Sequence, residues 1–141
     1  RHCFDQEIRD SQDERYDHID QAIAMATMFT ANRVQVDAII SLTESGSTAQ
    51  WLSRVRSHVP IFALTPNTNS RRRMALYRDV YPVAFDCTEI SGDEAVAQAL
   101  SHVVRLGYVK PGQRAIVTMG DKMRVEGGTN TMRLVQIGGN E

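Results

Sequence analysis

The sequence predicts an α/β fold: a three-layer αβα domain around a mostly parallel five-stranded sheet whose last strand runs antiparallel. Short apolar runs typical of strands buried on both faces occur four times, at residues 36–42, 60–64, 82–85 and 115–119. Stretches long enough for crossover helices separate them, at 49–58, 70–79 and 93–106. This alternation indicates βαβ units, and therefore a parallel sheet with helices on both faces.

The two ends of the pattern add one helix and one strand. Residues 16–33 place Ile19, Ile23 and Ala26 at three- and four-residue intervals, which predicts an amphipathic helix before the first strand. Residues 129–137 alternate polar and apolar side chains, which predicts an edge strand with one solvated face. Because no helix precedes it after the fourth strand, we expect it to run antiparallel to that strand.

Local signals mark the boundaries of the later elements. Ser91, with Glu94 three residues on, forms a capping-box pattern for the last helix, and Gly107 is suited to end it. The Lys110-Pro111-Gly112 stretch predicts the turn into the fourth strand.

Composition and charge narrow the possible functions. A chain of 141 residues is the size of one domain. Its apolar runs fall far short of the ~20 residues of a membrane span, and its net charge of −1 argues against an extended nucleic-acid surface. Cys3 and Cys87 lie apart without a disulfide or zinc-ligand pattern, so we expect no metal site and a reducing, cytoplasmic location.

The segment after the first predicted strand is rich in hydroxyl groups, with five hydroxyl residues between Ser41 and Thr48. In open α/β sheets, ligands bind beyond the carboxyl ends of the strands, where the strand order reverses. If the first strand lies between the second and the fourth, this loop borders that crevice, and its hydroxyl and N–H groups can bind a phosphate. The residues expected to do so are Thr43, Ser45, Gly46, Ser47 and Thr48.

A second loop, at 120–128, would meet the first across the same crevice. Its two cations and three glycines suit a flap that closes over an anion, and the expected flap residues are Lys122, Arg124, Gly127, Gly128 and Thr129. Each loop also has a plainer interpretation. Ser47 to Gln50 is a capping-box pattern that could merely begin a helix, and 120–128 could be a solvated surface loop.

Five blocks of the chain resemble the C-terminal domain of pyruvate kinase, in that family's order and spacing. They are "DQAIAMATMFTAN" (Asp20–Asn32), "AIISLTESGSTAQWLSRVR" (Ala38–Arg56), "PIFALTPN" (Pro60–Asn67), "ALYRDVYPV" (Ala75–Val83) and "GDKMRVEGGTNTMRL" (Gly120–Leu134). The blocks look most similar to the bacterial form that responds to sugar monophosphates and AMP. The resemblance implies that residues 16–141 form the regulatory domain, and that residues 1–15 are a linker remnant from a preceding barrel domain.

The resemblance also implies a role for this part of the protein. In the family, the barrel and lid transfer a phosphoryl group from phosphoenolpyruvate to ADP with Mg²⁺ and K⁺, so this chain should have no catalytic residues, need no cofactor and be inactive alone. It should bind a phosphorylated sugar or nucleotide monophosphate at the 43–48 loop, with 120–129 closing over it. Glu44, and a flap without tryptophan, favour a sugar monophosphate. The expected partners are its own barrel domain and the other subunits of a homotetramer.

Two hypotheses from other classes stay open at this point. The chain could be a purely structural oligomerisation domain whose effector loop is vestigial. It could also be a small free-standing enzyme acting on phosphorylated sugars, although the sequence offers no acid–base pair for that chemistry.

Overall fold

The computed structural model describes residues 18–55, 57–86, 90, 92–120 and 129–138, which form four helices and five strands. The helices are α1 (Ile19–Arg33), α2 (Ser47–Ser53), α3 (Thr68–Met74) and α4 (Gly92–Arg105). The strands are β1 (Ala38–Leu42), β2 (Ile61–Thr65), β3 (Val80–Ala84), β4 (Arg114–Met119) and β5 (Thr131–Gln136). Several predictions lie outside the described residues: the 1–15 linker, the capping residue Ser91, both cysteines, and the flap residues Lys122, Arg124, Gly127 and Gly128.

The sheet has the predicted composition and directions. Its strand order is β3-β2-β1-β4-β5, with every neighbouring pair parallel except the antiparallel pair of β4 and β5. Strand β1 lies between β2 and β4, so that Ser41 is opposite Ala63 on one side and Thr118 on the other. The strand order therefore reverses at β1, which is the condition on which the expected ligand crevice depended.

Alternate side chains of β1 bury against helices on opposite faces, which gives the three layers. Ile39 packs in one apolar cluster with Met28 of α1 and Leu52 of α2, and Met74 of α3 belongs to the same cluster. Ile40 lies in the other cluster with Val103 of α4. All five residues of β1 are buried, which explains why its sequence is a nearly continuous apolar run.

Helices α2 and α3 each begin two residues before the predicted start, and each ends five residues before the predicted end. Beyond both ends the hydrogen bonds change to the three-residue spacing of a tight turn: the Arg54 N–H donates to the Trp51 carbonyl, and the Leu76 N–H to the Arg73 carbonyl. Asp79 then adopts a left-handed φ of 64° just before β3. The apolar spacing continues through these turns, and for that reason the sequence overstated both helices.

Two boundary predictions are confirmed: Gly107 ends α4, and residues 110–112 form the turn before β4. Gly107 follows α4 with a left-handed φ of 81°, and the Tyr108 N–H donates to the Val103 carbonyl across it. Gly112 has a φ of 95°, and its N–H donates to the Ile137 carbonyl at 2.7 Å. This bond joins the turn before β4 to the end of β5.

Candidate functional site

The hydroxyl-rich loop leaves the carboxyl end of β1, the central strand, and enters α2. Because β2 and β4 lie on either side of β1, the loop has the β2–α3 connection on one side and the segment after β4 on the other. This is the crevice in which open α/β sheets bind ligands.

Two hydroxyl groups of the loop accept hydrogen bonds from its own backbone. The Gly46 N–H donates to Thr43 Oγ1 at 3.0 Å, and the Ser47 N–H donates to Ser45 Oγ at 3.3 Å. Gly46 is the residue that caps α2, and it has a left-handed φ of 89°. Ser47 is therefore the first helical residue and not the cap, so the capping box considered as the plainer interpretation is not formed.

The β2–α3 connection anchors the carbonyl groups of the same loop. Thr65 Oγ1 and Ser70 Oγ donate to the Glu44 carbonyl at 3.2 and 2.8 Å, and Arg73 Nη2 donates to the Ser45 carbonyl at 2.8 Å. These three bonds hold the Glu44 and Ser45 carbonyls against the β2–α3 connection.

Asp20 is a site residue that the sequence did not reveal. Its carboxylate is almost fully buried, with 4% of the residue exposed, and it accepts a 2.5 Å hydrogen bond from the hydroxyl of Ser47. Ser47 is the donor in this bond, so its hydroxyl proton is directed at Asp20. The two residues are 27 positions apart, and no local pattern predicts such a contact.

Thr48 and Thr129 connect the two predicted loops. Their hydroxyl oxygens are 2.7 Å apart in a buried hydrogen bond, which brings the end of the predicted flap against the start of α2. Of the ten residues expected to bind the effector, six lie together in the loop and its hydrogen-bonded contacts: Thr43, Ser45, Gly46, Ser47, Thr48 and Thr129. The other four are the flap residues outside the described part.

A polar cleft of about 540 Å³ opens between this loop and α3. Its lining includes Glu44, Ser45, Ser47, Gln50, Asn67 and Arg73. The charged side chains Glu44 and Arg73 thus share one cleft with hydroxyl and amide groups, an arrangement that can bind a small ligand bearing one anionic group and several hydroxyls.

The described residues include neither a metal-ion cluster nor a membrane-spanning helix. No three His, Cys, Asp or Glu side chains in this part of the chain are grouped to bind a metal ion. None of the four helices described has the length and apolar character to cross a bilayer. Fold and site together define an open-sheet α/β domain with a polar, ligand-sized cleft beyond its strand ends.

Comparison with known proteins identifies the family. Residues 21–135 match the family described as pyruvate kinase, alpha/beta domain. Pyruvate kinase II of Salmonella typhimurium is 41% identical over 126 residues, which cover 89% of this chain and 26% of that protein. The pyruvate kinase of Buchnera aphidicola subsp. Baizongia pistaciae is 38% identical over 125 residues, or 88% of this chain and 26% of that protein. The chain belongs to the pyruvate kinase family, within its alpha/beta domain.

The chain spans about a quarter of the length of the curated relatives it matches. The resemblance seen in the sequence is therefore confirmed at the level of the family and the domain. The assignment to a form that responds to sugar monophosphates and AMP stays a prediction.

Proposed function

We propose that this chain is the regulatory domain of a pyruvate kinase and that it binds a sugar monophosphate at the loop from Thr43 to Thr48. The whole protein would transfer a phosphoryl group from phosphoenolpyruvate to ADP with Mg²⁺ and K⁺, using residues outside this chain, as a cytoplasmic tetramer. Effector binding would act by favouring one arrangement of the subunits over another.

The observation that carries the proposal is the hydrogen bond between Thr48 and Thr129. It brings the β1–α2 loop and the end of the predicted flap to the same place, although they are 81 residues apart. A ligand bound by the first loop would therefore lie within reach of the second. Had the two segments been on opposite sides of the molecule, closure of one over the other would be impossible.

The hydrogen bonds of the loop support a phosphate as the group bound. The hydroxyls of Thr43 and Ser45 accept from backbone N–H groups, so their own protons remain available to donate. One of the two protons of the Thr48–Thr129 pair is likewise uncommitted by that bond. A phosphate is an acceptor at neutral pH, and each hydrogen bond to a charged acceptor contributes about 1.5–3 kcal/mol.

The test is a calorimetric titration of the chain with glucose 6-phosphate and ribose 5-phosphate. We expect Ser45→Ala to weaken binding about tenfold, which corresponds to about 1.4 kcal/mol. Ser53→Ala is the matched control, because Ser53 lies at the end of α2 and donates to the Gln50 carbonyl, away from the loop. Equal affinities of both variants and the parent chain would remove the proposed site.

A second candidate function is assembly alone, and the exposed edge of the sheet favours it. Among the strands that the structure describes, β5 pairs only with β4, and Leu134 is 46% exposed on it. An open strand edge with an exposed apolar side chain can pair with another subunit. Light scattering that shows self-association, together with no binding of either sugar phosphate, would favour this function over an effector site.

A further inference from the structure

The polar cleft of about 540 Å³ lies on the α3 side of the β1–α2 loop, apart from the contact that carries the proposed function. That contact, between Thr48 and Thr129, faces the segment after β4, and neither residue lines the cleft. The loop thus has a different neighbour on each side. Binding of a ligand in the cleft is therefore a separate property from binding of a sugar phosphate at the Thr48–Thr129 contact.

The wall of the cleft that the loop and α2 form offers acceptors. Glu44 contributes its carboxylate to this wall. Ser47 donates its hydroxyl proton to the buried Asp20, so its oxygen offers only lone pairs to the cleft. A cationic donor satisfies a carboxylate more strongly than a neutral hydroxyl does, because hydrogen bonds between charged partners are the stronger ones. This wall therefore suits an ammonium group.

The opposite wall, formed by the β2–α3 connection and α3, offers donors. Arg73 Nη2 donates to the Ser45 carbonyl at 2.8 Å and to Ser70 Oγ at 3.3 Å, which fixes the guanidinium group beside the cleft. Arg73 Nε and Nη1 have no acceptor in the described part of the chain. Asn67 Oδ1 accepts from the Ser70 N–H at 2.9 Å, which leaves its NH₂ group as the available part of that amide. This wall therefore suits a carboxylate.

The two charged side chains of the cleft do not neutralise each other. Among the described residues, the ion pair that the structure contains joins Arg133 to Asp93. Glu44 and Arg73 thus line one cleft, from opposite walls, without a salt bridge between them. A ligand that carries one positive and one negative group matches both walls at once, whereas an anion or a cation alone matches one wall and is repelled by the other.

We propose that this cleft binds a free α-amino acid, whose ammonium group contacts Glu44 and whose carboxylate contacts Arg73. An α-amino acid carries both charges on one carbon atom, and its side chain would occupy the rest of the cleft. That remaining space is lined by polar groups, which favour an uncharged polar side chain; they include Gln50, Asn69 and Ser70. A volume of about 540 Å³ is typical of small-molecule sites.

The test is calorimetry of the 141-residue chain with L-glutamine and two analogues that each lack one charge. The analogue γ-aminobutyramide lacks the carboxylate, and glutaramate lacks the ammonium group. L-Glutamine should bind at least about tenfold more tightly than either analogue, because each loses one charged contact. Equal affinities for the three ligands, or no binding of either L-glutamine or L-asparagine, would overturn the proposal.

Two variants should each remove the response to one charge of the ligand. Arg73→Gln should weaken binding of L-glutamine at least about tenfold and leave binding of γ-aminobutyramide within about twofold of the parent value. Glu44→Gln should weaken binding of L-glutamine by a similar factor and should not weaken binding of glutaramate. A variant that weakens all three ligands equally would reveal a general loss of the cleft and refute the role of that residue.

Arg72→Gln is the matched control, because it removes the same charge from the same helix at an exposed residue that does not line the cleft. It should change the affinity for L-glutamine less than about twofold. A loss equal to that of Arg73→Gln would refute the assignment to Arg73. Circular dichroism and the urea midpoint check that each variant folds. The comparison of L-glutamine with its analogues on the parent chain needs no variant, so a folding defect of Arg73→Gln leaves that test intact.

A titration of L-glutamine into the chain saturated with glucose 6-phosphate distinguishes this site from the proposed effector site. We expect an affinity for L-glutamine within about threefold of that of the free chain, because neither Thr48 nor Thr129 lines the cleft. Competition between the two ligands would refute a separate site. A chain that binds L-glutamine but no sugar phosphate would keep the amino-acid site and overturn the proposed function; the reverse result would overturn the amino-acid site alone.

Discussion

Gly46→Ala should destabilise the chain by about 2–5 kcal/mol, for two reasons that the structure separates. Gly46 has a φ of 89°, and a left-handed conformation costs a residue with a Cβ about 1–2 kcal/mol. The added Cβ would also lie 2.8 Å from Met74 Cγ and 2.9 Å from Met74 Sδ. Met74 is fully buried in the core, so its displacement adds about 1–3 kcal/mol of overpacking.

The assay is urea unfolding followed by the fluorescence of Trp51, the only tryptophan in the chain. Gly107→Ala is the matched control: Gly107 has a similar φ of 81°, but substitution there would bring the added Cβ within 4 Å of no other atom of the described residues. In this control, the free energy of unfolding should therefore fall only by the cost of the left-handed conformation, about 1–2 kcal/mol. Equal losses in the free energy of unfolding for both variants would refute the close packing of Gly46 against Met74.

Three substitutions of buried polar groups test the hydrogen bonds around the loop by the same unfolding measurement. Asp20→Ala should cost about 1.5–3 kcal/mol, because Ser47 loses a charged acceptor, and a loss below about 0.5 kcal/mol would contradict that bond. Thr48→Val should cost about 1 kcal/mol, because it leaves the buried hydroxyl of Thr129 without its partner. Thr118→Val should be neutral or stabilising, since that buried hydroxyl has no hydrogen-bond partner in the described part of the chain; destabilisation as large as that of Thr48→Val would reveal a partner.

The parts of the fold that the sequence predicted are those with a local signal. Strand β1 is recognisable because a strand buried on both faces is apolar at nearly every position. The antiparallel direction of β5 was predicted because the sequence shows no helical pattern between it and the fourth strand. The ends of α2 and α3 were misplaced because a tight turn of three-residue spacing can continue the apolar pattern of a helix.

The candidate site was predicted in part, for the same reason. The residues from Thr43 to Thr48 are contiguous, so composition and the position after β1 pointed to them. Asp20 and Arg73 were missed as site residues because each contacts the loop from an element 27 or 28 positions away. An acidic first turn and a row of arginines are common on helices, and neither pattern states which loop will lie opposite.

The sequence alone thus determined the order of strands and helices, the family, and the loop at the carboxyl end of β1, because periodicity and short motifs are properties of neighbouring residues. Tertiary structure alone decided which hydroxyl protons of that loop remain available: the Ser47 proton is directed at Asp20, and the Thr48 proton at the Thr129 hydroxyl. It also placed one arginine of three in the cleft. The direction of a hydrogen bond depends on where distant segments pack, and that position follows from burial of the whole core.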